Sequence, residues 1–73
     1  MKIEDASKLL RASYESAPKN GKAASVHLFG IRYSDELQGM PLGEVAEGAG
    51  IPKSYGTEIR KGMNLASYVE LKL

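Results

Sequence analysis

Proline and glycine cut this chain into short pieces: Pro18, Gly39, Pro41, Gly50, Pro52 and Gly62 punctuate it from end to end. Between these breaks apolar residues recur at steps of three and four, the period of a helix packed on one side. No piece is long enough for more than a few helical turns. The pattern therefore predicts an all-α fold, a small bundle of four to five short helices in a single domain over residues 1–73. A chain of this size folds with little margin, so nearly every apolar residue has to serve the core.

Residues 3–17 read as the first helix, with Ile3, Ala6, Leu10, Tyr14 and Ala17 on one stripe and Leu9 widening it. Glu4 and Asp5 suit the positive end of its dipole, and Pro18 stops it. A polar turn follows around Asn20 and Gly21. Residues 25–38 read as the second helix, capped by Ser25 and ended by Gly39, with the front half also compatible with a short buried strand. As a helix it carries Val26, Phe29, Tyr33 and Leu37 on one face and Leu28 and Ile31 on the other, which predicts a central helix packed from both sides. Residues 41–49 give a third helix with Pro41 in its first turn. Residues 53–61 give a fourth, with Tyr55, Ile59 and then Met63 inward and Gly62 ending it. Residues 64–72 are expected to form a short turn or strand, with Asn64 as a cap.

Composition narrows the functions. The absence of cysteine excludes disulfides and thiolate zinc sites and points to a cytoplasmic location. No apolar run approaches the roughly 20 residues that span a bilayer, and the acidic start is unlike a secretory leader. Hydrophobic residues make up 42% and charged residues 26%, a balance that argues against disorder. The net charge of +1 means that any basic footprint must come from local arrangement. His27 stands alone, without the partners of a metal site or a catalytic triad, and reads as a structural or surface imidazole. Gly48-Ala-Gly50 does not continue as a dinucleotide fingerprint, and Gly21-Lys22 lacks the upstream glycine of a phosphate loop. No enzyme, cofactor or metal is expected. Tyr14, Tyr33 and Tyr55 sit at core spacing.

Two helices meeting at a steep angle need a small residue where their backbones approach, a position free to take positive φ, and apolar residues clamping the corner. Ala46, then Gly50, then Val45, Ala49, Ile51 and Ile59 meet these needs. This is the helix-turn-helix geometry, which holds its second helix proud of the surface. Residues 39–62, GMPLGEVAEGAGIPKSYGTEIRKG, also resemble the helix-turn-helix of the Cro and phage-repressor (XRE-like) family. Gly39, Met40, Val45, Ala46, Ala49, Gly50, Ile51, Ser54, Ile59 and Gly62 fall in its register. Pro41 stands where that family has a Ser or Thr cap, and Leu42 where it often has a glutamine that touches the DNA backbone. Gly56 replaces a usually apolar residue, leaving either a gap or an unusually close contact.

The resemblance implies a transcriptional regulator, active as a homodimer, that reads duplex DNA with helix 53–61. It implies that Lys53, Ser54, Thr57, Glu58 and Lys61 face the bases and that Arg60 reaches phosphate. Glu44 and Glu47 face outward on the preceding helix and oppose phosphate. The alternative is a protein-interaction module on the same scaffold, with Leu42 exposed to dock a protein partner. A further alternative is self-association through YVELKL, residues 68–73.

Overall fold

Asp5 opens the first helix, α1 (Ile3–Ser16), by accepting a hydrogen bond from the Lys2 backbone N–H at 3.3 Å. In the computed structural model, which describes residues 1–72, α1 turns Ala6, Ser7 and Leu10 into the core. It ends one residue earlier than the spacing suggests, because Ala17 precedes a proline and is driven into the extended region. The carbonyl of Tyr14 in the last turn accepts from Lys22 Nζ at 2.6 Å, so a lysine from the next helix caps this one.

The second helix, α2 (Lys22–Arg32), starts before Ser25 and stops well before Gly39. A 3-10 turn at Lys19–Gly21 runs straight into it, leaving Ser25 inside, where its hydroxyl donates to the Lys22 carbonyl at 2.6 Å. The strand alternative for this segment is thereby overturned. Beyond Arg32 the chain forms successive turns over residues 33–39, where Ser34, Asp35 and Glu36 follow one another. Ser and Asp compete with helix formation. Leu37 is fully buried from this turn segment, and Gly39 closes it at φ +80°. The expected two-sided packing of α2 holds in part: α2 packs on both α1 and α4, and Ile31 is half-buried, but Leu28 is 51% exposed.

The third helix, α3 (Leu42–Gly48), uses Pro41 as its N-cap rather than as a first-turn residue. Its C-terminus is closed by two bonds, from Gly50 N–H to the Glu47 carbonyl at 2.9 Å and from Ile51 N–H to the Ala46 carbonyl at 3.1 Å. That pair is the Schellman arrangement, and it requires the left-handed backbone that Gly50 adopts at φ +82°. A 3-10 turn at Lys53–Tyr55 then leads into α4 (Gly56–Leu65). Gly62, expected to end this helix, lies buried in its middle, and Asn64 lies within it rather than capping a further turn. Residues 69–72 have no regular structure, and among the described residues no strand forms. Leu73 lies outside the described residues.

Gly62 has another purpose. A Cβ there would press on the His27 carbonyl oxygen and lie 3.1 Å from the Gly30 Cα. A Cβ on Gly30 would in turn strike the Ile59 carbonyl oxygen and come within 3.0 Å of the Met63 nitrogen. The most extensive contact in the fold, α2 on α4, is therefore a crossing at backbone distance. The two helices run in the same sense there: Ala23 lies beside Ser54 and Thr57, while Gly30 meets Gly62 and Met63.

Gly56 resolves as close contact, not a gap. A Cβ on it would lie 2.8 Å from the Gly43 nitrogen and 3.1 Å from the Gly43 Cα. The near approach of α3 and α4 thus occurs at Gly43 and Gly56, and Ala46 is simply a buried core residue. The glycines should respond differently to substitution. Gly50→Ala meets no neighbouring atom, so it is expected to cost only the left-handed strain, about 1–2 kcal/mol. Gly56→Ala gains helix propensity but forces two backbones apart, and should lose about 1–3 kcal/mol from overpacking. Thermal melts of the two variants check this. A stable Gly56→Ala chain would mean that the α3–α4 contact is looser than described.

Candidate nucleic-acid interface

The surface that faces away from the bundle at the helix-turn-helix is set by what α4 buries. Gly56, Ile59, Gly62 and Met63 point inward, at the spacing of one helical face. Lys53, Ser54, Thr57, Arg60 and Lys61 are thereby left exposed. Val45, Ala49 and Ile51 are buried with Ile59 and hold the corner rigid. The hydroxyl of Ser7 on α1 donates to the Val45 carbonyl at 2.9 Å, fixing the first helix of the pair against the scaffold. Tyr14 of α1 meets Tyr55 edge-on with centroids 6.0 Å apart, which seats the 3-10 turn ahead of α4.

The six side chains singled out from sequence do not stand alike. Ser54, Thr57 and Arg60 are exposed, and no side-chain hydrogen bond or ion pair engages them among the described residues. The stem of Lys53 lies over the backbone of Gly43, where a Cβ would meet its Cγ at 2.8 Å, while the residue as a whole stays exposed. Lys61 Nζ is 3.3 Å from Glu58 Oε2. Glu58 differs from the rest, being half-buried and joined through Oε1 to His27 Nε2 at 2.7 Å. His27 thus serves as a link between α2 and α4. Its partner lies too far away in sequence for spacing to indicate.

The hydrogen bond with His27, and after it that with Lys61, holds the Glu58 carboxyl below its ordinary range. A folded-state value below the unfolded one gives stability that is fully present above the ordinary carboxylate range. That stability is lost as pH falls through the lowered value. Wild type should therefore melt above Glu58→Gln at neutral pH, and the two should converge as the pH is lowered through the Glu58 titration. A gap in melting temperature that stayed constant with pH would refute this account.

Glu44 and Glu47 are exposed on α3, adding negative charge beside the basic positions. Leu42, expected at the surface in the interaction reading, is 7% exposed and belongs to the core, because it follows Pro41 on the inward face of α3. Exposed apolar residues lie elsewhere, among them Leu65 at 47% as the last residue of α4 and Tyr68 at 82% and Val69 at 43% just beyond it. Among the described residues no three His, Cys, Asp or Glu side chains are grouped to hold a metal ion, and no helix is long and apolar enough to cross a membrane.

Comparison with known proteins agrees with this geometry at the level of the family. Searches of curated proteins and of solved structures find no match. The family model of the HTH-like domain matches residues 2–72, so the N-terminal helix is included along with the corner. With α1 and α2 bracing the α3–α4 pair in one helical unit, the chain belongs to the HTH-like domain family.

Proposed function

We propose that the chain binds duplex DNA through the outward face of α4 and its preceding 3-10 turn, in the manner of Cro-type repressors, and acts in transcriptional control. The observation that carries this reading is the division of α4 into a buried face and an exposed one bearing Thr57, Arg60 and Lys61, which the preceding 3-10 turn extends with the exposed Lys53 and Ser54. Lys61 and Lys53 offer donors to guanine, Ser54 and Thr57 bond several bases, and Arg60 contacts phosphate. Glu44 and Glu47 limit how closely α3 approaches the backbone and favour entry led by α4. One such unit makes few contacts, so two copies reading two half-sites is the arrangement that supplies selectivity.

The test is duplex binding followed across salt. A pool of random duplexes should be retained at 50 mM salt, with affinity falling by about tenfold or more by 200 mM for a small set of phosphate contacts. An affinity for duplex that is the same at both salts would sink the proposal.

The exposed Leu65, Tyr68 and Val69 favour a second reading, in which this end of the domain docks a protein. Tyr68→Ser with Val69→Ser, followed by light scattering and DNA binding, separates the two. If DNA binding persists and self-association is lost, the apolar end serves assembly of the DNA-binding unit.

A further inference from the structure

We propose that His27 sets the base preference of the reading face, by holding Glu58 back from the bases. The inference rests on the DNA-binding reading above and concerns a residue outside the exposed surface of α4. Glu58 lies on α4, four residues after Ser54 of the preceding 3-10 turn and one turn before Lys61. A carboxylate free at such a position accepts from the N4 amine of cytosine. Here both oxygens are engaged: Oε1 with His27 Nε2 at 2.7 Å and Oε2 with Lys61 Nζ at 3.3 Å. Hydrogen bonds to a carboxylate are the strong kind, and moving out to the bases would cost Glu58 the one from His27.

The backbone of His27 cannot shift outward with Glu58. The His27 carbonyl oxygen lies where a Cβ on Gly62 would have to go, so α2 is seated on α4 at backbone distance at this residue. The ring thus reaches Glu58 from a fixed base and draws it toward α2. Lys61, tied to the other oxygen, is oriented by the same link. His27 is a positioning residue in this scheme and touches no base itself. What it needs is a donor at Nε2, which a glutamine amide also supplies.

Selection from a randomised duplex pool tests this with wild type, His27→Gln, His27→Ala, Glu58→Ala and the double variant His27→Ala with Glu58→Ala. Wild type and His27→Gln should select the same sequences. His27→Ala should gain a preference for cytosine at one position, on the order of tenfold. The double variant should lose that gain. Glu58→Ala, which leaves His27 intact, should select no differently from wild type at the cytosine-bearing position. This last arm stands even if His27→Ala fails to fold. Unchanged selection by a folded, DNA-binding His27→Ala overturns the proposal, as does a cytosine preference already present in wild type and lost in Glu58→Ala. Absence of duplex binding by wild type at 50 mM salt would instead remove the DNA reading itself.

Discussion

Gly62→Ala is expected to destabilise the domain by about 3 kcal/mol, despite replacing a helical glycine with the best helix former. Alanine gains about 1 kcal/mol of helix propensity at such a site. Against that, the new methyl meets the His27 carbonyl and the Gly30 Cα, both backbone atoms that no rotamer change can clear. Relief requires α2 and α4 to separate along their whole contact, the largest in the fold. For a domain of this size the loss corresponds to roughly 15 °C in melting temperature, read by circular dichroism. Gly30→Ala should behave alike, because its methyl meets the Ile59 carbonyl and the Met63 nitrogen across the same crossing. The double variant should be less harmful than the sum, since helices already parted by one methyl accommodate the second. A Gly62→Ala chain melting within about 3 °C of wild type would show that the crossing is not at backbone distance.

The second large effect concerns binding. Replacing Lys53, Arg60 and Lys61 together by alanine should reduce duplex affinity by about 100-fold at low salt, and lower the salt slope by about one for each phosphate contact removed. All three are exposed and outside the core, so the melting temperature should change little. The single variants separate their roles. Arg60→Ala should weaken all duplexes alike, as loss of a phosphate contact does. Lys61→Ala should relax selection at one base position, by about 1–3 kcal/mol of discrimination. Lys53→Ala adds a small loss of packing, because its stem covers the backbone at Gly43. An affinity unaltered by the triple change would place DNA binding on another surface or nowhere.

What could be read from the chain depended on how local its cause was. The Ala49-Gly50-Ile51 corner was legible because a positive φ is a demand of one residue on its own backbone, and Gly50 meets it. The sidedness of α4 was legible because helical period alone assigns Ile59 and Met63 inward and Thr57, Arg60 and Lys61 outward. Gly62 was not, since glycine ends helices and also admits close neighbours, and only the position of Gly30 distinguishes the two uses. The same ambiguity covered Gly56 and its partner Gly43. Ser25 reads as a cap from residue type, but the 3-10 turn at Lys19–Gly21 had already begun the helix. The bond between His27 and Glu58 crosses between helices and leaves no mark in spacing. Leu42 is exposed only in the protein-interaction alternative, and its place on the same face of α3 as Val45 and Ala46 buries it.

The inward and outward positions of α4 share almost no members, and this bears on how such a domain could diversify. Gly56, Ile59, Gly62 and Met63 answer to α2 and α3, while Thr57 and Arg60, Ser54 of the preceding 3-10 turn, and Lys61 apart from its contact with Glu58, answer to whatever the surface meets. A library randomised at those four exposed sites should therefore stay folded almost throughout. Glu58 is the exception that couples the two sets, because any residue placed there also inherits His27 as a neighbour.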